Sequence, residues 1–385
     1  MIGRLARLLA LLATVTLLSG CWDYFDLERR APVMGIGIDR AEGPDGGFVV
    51  TAEIPRATLA SQTSLTGGPR GGQREPYILV TARGATIGEA LHNLNATIAR
   101  RALWEQVISV VISEDVLQEG ISPLLDLFNR NATFNSRARI YAAAGTARDV
   151  FTFQPDFQPF VAVFLDEMGE EFALEPHFAG PPDVHTVEHE LEESAAVLLP
   201  VVRKNGTDLQ LDGSVALTRG VLVARLDGRI TEGAQWLLGR VKQSVTLIPC
   251  PREPSVRLAV TLRTTKRTVR VSLENGLPHF RVELAADMRV EEFSRCPLNL
   301  RDPGDRKALE DQAARALARL GQEAADYARE VGVDFLRFGT LVERKFPAVW
   351  EEINWRDTFP RSTITVRATT LLKTAGELRR PPTLH

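Results

Sequence analysis

Asp302-Pro-Gly-Asp-Arg-Lys-Ala-Leu-Glu-Asp-Gln-Ala-Ala-Arg-Ala-Leu-Ala-Arg-Leu-Gly-Gln-Glu-Ala-Ala-Asp-Tyr-Ala-Arg-Glu-Val-Gly332 reads as one helix with both ends spelled out. An Asp ahead of the first turn offers an oxygen to the orphan N–H groups there. Pro303 suits that turn, where its missing N–H costs nothing, and Gly332 suits the left-handed residue that ends a helix. Leu309, Ala313, Leu317, Leu320, Ala324, Tyr327 and Val331 recur at spacings of four and three, so they form one apolar stripe. Small residues on that stripe let the helix approach a sheet closely. The sheet is read from the flanks: 243–250, 256–271 and 279–292 have strand character, and the β-branched run Thr363 to Leu372 is expected to join them. Residues 241–385 are therefore expected to form a C-terminal α/β domain around a long helix over 303–331.

Cys250 and Cys296 flank those three strands. In a simple meander the first and third strands lie about 9.6 Å apart, beyond the roughly 7 Å that a disulfide spans between Cα atoms. A bridge needs the end loops to lean together, or a different strand order.

Working toward the N-terminus, Asp208 to Leu217 and Val221 to Leu226 form a hairpin around Thr218-Arg-Gly220, followed by a short helix near Glu232 to Leu238. Residues 153–205 carry Pro155, Pro159, Pro176, Pro181, Pro182 and several acidic clusters. They read as a seam with helices near 158–168 and 186–195, within a middle domain over 151–240. Over 21–150, strands (Val33 to Asp39, Phe48 to Ile54, Tyr77 to Ala82, Val107 to Ile112, Arg139 to Ala144) alternate with helices. Thr86-Ile-Gly-Glu89 is a capping box leading the stripe Ile87, Leu91, Leu94 and Ile98. Ser113 is expected to cap a short helix ending at Gly120, and Ser122-Pro123 to open another. Ser61 to Gln73 is a glycine-rich loop. The expected fold class is α+β, multi-domain: three α/β units in series, with mixed sheets covered by helices.

Residues 1–20 stand apart. Arg4 and Arg7 precede the uncharged run Leu8 to Leu18, and Leu18-Ser-Gly20 precedes Cys21. A basic start, a short apolar stretch and small residues before a cut site mark a secretory signal. The run is shorter than the roughly 18 residues that span a bilayer. Leu-Ser-Gly-Cys resembles the bacterial lipobox, which implies a mature chain beginning at acylated Cys21 and held by two or more acyl chains. Once Arg4 and Arg7 leave, 44 basic residues face 49 acidic ones, a net charge near −5. That balance argues against a nucleic-acid partner.

His185-Thr-Val-Glu188-His189 matches the H-x-x-E-H pattern of inverted zinc metallopeptidases, with two His on one helix face and Glu188 as general base. It lies in an acidic, proline-flanked seam without a third ligand nearby, so an exported lipid-anchored metal hydrolase is kept only as the alternative function. Gly35-Ile-Gly37-Ile-Asp39 begins like a dinucleotide fingerprint but has Arg40 where the third glycine belongs, and it runs within a strand. Glycines there point to close backbone packing. No catalytic, cofactor-binding or metal residue is assigned, and Cys21 is the one expected site residue.

Three stretches together resemble the Ger(x)C family, the C-subunit lipoproteins of spore germinant receptors. Cys21-Trp-Asp23 with Val33 to Asp39 is similar to that family's lipidated cysteine, Trp-Asp pair and Gly-Ile-Asp strand. Leu211-Asp-Gly-Ser-Val-Ala-Leu217 with Val221 to Leu226 is similar to its central hairpin, although Leu217 replaces the usual aromatic and Ala224 a frequent glycine. Asp334-Phe-Leu-Arg-Phe-Gly339, then Pro347, Trp350, Trp355, Phe359 and Gly376, resembles its C-terminal signature. The resemblance implies a three-domain, non-enzymatic subunit without cofactors, lipid-anchored on the outer face of the inner spore membrane and working with integral-membrane A and B subunits. It also implies that the germinant pocket belongs to the permease-like subunit, so direct germinant binding by this chain is not expected. Trp350, Trp355 and Phe359 are expected in the core beneath the last helix, with a role as interaction surface as the other reading.

Overall fold

The computed structural model describes Gly3 and residues 30–374, apart from 44–45, 57–75, 99, 131–132, 195 and 293–295. The signal stretch, Cys21, the glycine-rich loop at 61–73 and Gly376 lie outside the described residues.

The first half runs β1 (Arg30–Pro32), β2 (Gly35–Arg40), β3 (Phe48–Pro55), β4 (Tyr77–Gly84), α1 (Ile87–Thr97), β5 (Arg101–Leu103) and β6 (Ser109–Ser113). It continues with α2 (Glu114–Glu119), α3 (Ser122–Arg130), β7 (Arg139–Ala143), α4 (Ala147–Phe151), α5 (Val161–Glu170) and α6 (Val184–Ser194). Next come β8 (Ala196–Asn205), β9 (Asp208–Thr218), β10 (Val221–Leu226) and α7 (Gly228–Leu238). The rest is β11 (Gln243–Pro249), β12 (Arg257–Glu274), β13 (Leu277–Glu292), α8 (Pro303–Glu330), α9 (Phe338–Lys345), α10 (Pro347–Glu352), α11 (Trp355–Thr358) and β14 (Thr363–Thr374).

Eight strands make one sheet in the order β10-β9-β8-β7-β6-β2-β3-β4. Its centre, β8, β7, β6 and β2, is parallel, and an antiparallel pair flanks it on each side. Parallel strands need both faces covered. Val110, Ile112, Ile140 and Ala142 bury with α1, α2, α3 and α6 on one face, while Val111, Tyr141 and Ala143 bury with α4 and α5 on the other. The antiparallel turn between β9 and β10 uses Arg219 and Gly220, both with positive φ, as a tight two-residue hairpin requires.

Within the span read as a seam, Ala196–Asn205 is instead a strand buried in the middle of the sheet. Pro200 disguises it, because proline removes a ladder donor. Here Pro200 lies at a register shift against β9 and just before the short pairing of Val201 and Val202 with β7. Two local expectations change as well. Ser113 occupies the N-cap of α2, but its hydroxyl makes no capping bond. In the capping box, Thr86 accepts from the Glu89 N–H as expected, yet the Glu89 carboxylate reaches the N–H of Ala85 rather than Thr86, at 2.8 Å.

The second sheet has the order β11-β12-β13-β14. β12 and β13 turn through Asn275 and Gly276, again both at positive φ. β14 runs parallel to β13, and α8 crosses between them in sequence and packs alongside. Leu309, Ala313, Leu317, Leu320 and Ala324 of the stripe are buried, while Tyr327 and Val331 are partly buried. Asp302 accepts from the N–H of Asp305 at 2.9 Å, and Gly332 carries the helix off at φ 67°. The meander order is kept, and Cys250 and Cys296 nevertheless form a disulfide, with Cα atoms 5.8 Å apart. Both sit in the loops beyond the strand ends, which lean together.

Candidate functional site

Cys21 lies outside the described residues, so the functional stretches with geometry are the remaining motifs. In the first, a Cβ on Gly35 would overlap the Phe151 ring, and one on Gly37 would stand 3.3 Å from Ala147. The glycines therefore let α4 lie directly on β2. Asp39 completes the contact: its carboxylate accepts from the N–H of Ala147 at 2.6 Å and of Arg148 at 3.0 Å, capping the helix from across the sheet. Burial pushes its pKa up, opposed by those two N–H groups.

Glu53, which no sequence motif marked, does the same one strand over. Its oxygens accept from Val161 N–H at 2.7 Å and Ala162 N–H at 3.0 Å, at the start of α5. The pair explains why the helix expected near 158 begins at Val161. Desolvation raises the Glu53 pKa to about 7. The only sequence signal for it is an acidic residue inside an otherwise apolar strand.

The C-terminal motif is a third case. Asp334 is buried and accepts from the N–H of Phe338 (3.0 Å), the N–H of Gly339 (2.6 Å) and Nε1 of Trp355 (3.1 Å). Burial lifts its pKa to about 6. A Cβ on Gly339 would press on Trp355 at 2.7 Å and Trp350 at 3.2 Å, so glycine admits the two indoles. Phe280 stacks on Phe338 with centroids 4.6 Å apart, and Trp350, Trp355 and Phe359 continue the chain of rings at 5.4 and 5.6 Å. Phe359 is buried in the core of the second sheet, and both tryptophans, half-buried, pack against it.

These carboxylates each accept from two backbone N–H groups at a helix start, an arrangement that orients helices. The H-x-x-E-H residues sit on α6, with His185 and His189 exposed. Glu188 accepts from Asn129 at 2.5 Å, and His189 lies 3.5 Å from Glu193. Among the described residues no three His, Cys, Asp or Glu side chains gather in metal-binding geometry. The residue of α6 that matters structurally is Glu190, also unmarked in the sequence. One of its buried oxygens accepts from Arg240 at 2.7 Å and from Arg337 at 2.6 Å, clasping the first sheet's helix to the second unit.

Among the described residues no helix is long and apolar enough to cross a membrane. Residues 23–204 match the family model described as the spore germination protein N-terminal domain, and residues 212–376 match the one described as spore germination B3/GerAC like, C-terminal. The short gap between the two matches contains the β8–β9 turn. The chain is 25% identical to spore germination protein KC of Bacillus subtilis (strain 168), over 97% of this chain and 96% of that protein. Spore germination protein A3 of the same organism is 21% identical over 54% of each. The fold is similar to the crystal structure of the GerBC protein, with TM-score 0.57 and 16% identity, covering 91% of this chain and 99% of that one.

Proposed function

The chain belongs to the GerAC-like family of spore germination proteins, and from that premise we propose that it is the lipid-anchored C subunit of a nutrient germinant receptor. It acts by assembly with integral-membrane A and B subunits in the inner spore membrane, held on the outer face through acylated Cys21. The observation that carries this reading is the pair of family matches, which together run from residue 23 to residue 376. The signal-like stretch before Cys21 supports the anchor. The use of Asp39, Glu53 and Asp334 as helix caps supports a role in assembly rather than catalysis. A short tether from Cys21 to β1 would keep the domain at high effective concentration beside membrane partners.

The test is spore germination followed by loss of optical density. Spores lacking the gene are expected to lose the response to one class of nutrient and to keep the response to calcium dipicolinate. Unimpaired responses to every nutrient, in a strain without a paralogous receptor, would refute the receptor role. Cys21→Ala is expected to abolish labelling by a clickable palmitate analogue and to weaken the nutrient response. Equal labelling of wild type and variant would refute the anchor alone.

A further inference from the structure

The four-stranded sheet treats its two edges differently. On the β14 side, Gln322 of α8 accepts from the Val366 N–H at 3.0 Å and donates to the Ile364 carbonyl at 2.9 Å, and Glu310 accepts from the Leu372 N–H at 2.9 Å. That edge is closed by the helix. β11, at the opposite end of the order, pairs among the described residues only with β12. The bonds from Thr264 N–H to the Lys242 carbonyl (3.0 Å) and from Cys250 N–H to the Val256 carbonyl (2.8 Å) fix its phase. Even-numbered residues of β11 bond to β12, so Gln243, Val245 and Leu247 turn their N–H and C=O groups outward.

Native sheets blunt such an edge with charge, a bulge or a central proline. β11 pairs with β12 in unbroken register, carries no charge from Gln243 to Ile248, and leaves Val245 61% and Leu247 66% exposed. Beside it runs a groove of about 430 Å³ between β11, α7 and α8, lined by Arg229, Arg257, Arg315 and Arg319. Arg229 is paired with Glu323 at 2.6 Å. The one carboxylate in the lining, Glu232, accepts from the Ser244 hydroxyl at 2.5 Å. Among the described residues no carboxylate pairs with Arg257, Arg315 or Arg319, and the last two lie four apart on one helix face.

We propose that the β11 edge is a docking groove for an extended acidic segment of a partner protein, which adds a fifth strand to this sheet. Main-chain bonds to Val245 and Leu247 would hold the strand. Side chains alternate across a strand, so one set falls beside the exposed Val245 and Leu247, on the face that Arg257 shares through its pairing with Pro249. Acidic residues in the other set meet Arg315 and Arg319 of α8, where Arg315 now donates to Gln312 at 2.6 Å. The inference concerns this groove alone and does not depend on the lipid anchor or on the receptor reading.

Fluorescence anisotropy tests it, using the full chain in detergent micelles and a labelled seven-residue Glu-Val-Glu-Val-Glu-Val-Glu probe that matches β11 in length. This probe is expected to bind about tenfold or more tighter than its Lys-Val counterpart, and to weaken with added salt. Val245→Pro removes an outward donor without touching the ladder to β12, so it is expected to abolish binding while the melting temperature holds. Should that variant unfold, the exposed pair Arg315→Glu and Arg319→Glu supplies the same test, with an expected loss of about tenfold. Equal binding of the Glu and Lys probes, no binding of either, or unchanged affinity in the arginine variant would overturn the proposal. So would sedimentation showing that β11 pairs with a second copy of the chain, lost in Val245→Pro.

Discussion

Asp39, Glu53 and Asp334 each put a carboxylate where water is nearly excluded, and each is held by two backbone N–H groups at the start of a helix, a distant one for Asp39 and Glu53 and the next one in sequence for Asp334. Helix N-termini favour anions, but burial disfavours the charged form, and the two tendencies set a pH dependence. The Glu53 pKa moves from 4.5 to about 7 on folding. Between those values the folded chain keeps a proton that the unfolded chain gives up, so stability from this group is complete below 4.5 and is lost as pH rises through about 7. Melting temperatures over that window should fall with rising pH in the wild type relative to Glu53→Gln. A flat difference would show that the carboxyl is not titrating there. Asp334→Ala strands two helix N–H groups and an indole N–H, and is expected to lower stability by about 1–3 kcal/mol in urea denaturation. Asp39 and Asp334 stand in stretches that the sequence singles out by their flanking glycines and aromatics, although the helix-capping role of each appears only in the fold. Glu53 does not: its partners lie 108 and 109 residues away, as those of Asp39 do, but it stands in no motif that singles it out.

At the scale of elements, α8 was readable from end to end because cap, proline, stripe and terminal glycine all agree. Its packing is specific: a Cβ on Gly321 would meet Val366 at 3.0 Å and Leu237 at 3.3 Å, so the helix presses on both β14 and α7. Leu317→Ala should cost roughly 2–5 kcal/mol in denaturant unfolding, as buried leucines do; a cost below about 0.5 kcal/mol would mean the stripe faces solvent. β8 was hidden for the opposite reason, since proline in a central strand contradicts the local pattern and only the neighbouring register accommodates it. The disulfide was undecidable from strand spacing, because the bridging residues lie past the strand ends, where loop geometry decides. Removing it by Cys250→Ser with Cys296→Ser frees a loop 46 residues long. The expected loss is at most about 4 kcal/mol by chain entropy, read as a lower denaturation midpoint.

The two sheets are joined by polar contacts as well as by a shared apolar core, in which Leu198, Ala216 and Leu226 pack with the second sheet. Glu190 joins Arg240 and Arg337, and Tyr327 of α8 donates to the Arg225 carbonyl of β10 at 2.7 Å. Arg337 holds a left-handed backbone at φ 60° to reach that clasp, a conformation that costs a non-glycine residue of order 1 kcal/mol. Glu190→Ala should therefore lower stability by about 2 kcal/mol, less than for a fully enclosed pair because both arginines keep some water. Calorimetry should show the single transition broadening as the two sheets uncouple, whereas an unchanged profile would assign the coupling to apolar packing alone. The parallel placement of β14 against β13 has a consequence for biogenesis. A chain made from its N-terminus presents Cys250 and Cys296 before α8 and well before β14. An oxidant can thus seal the three-strand meander before the last strand of the sheet is in place. A polypeptide stopped short of residue 363 would then be a covalently closed but unfinished sheet, a species that reducing agents, rather than refolding, would be needed to undo.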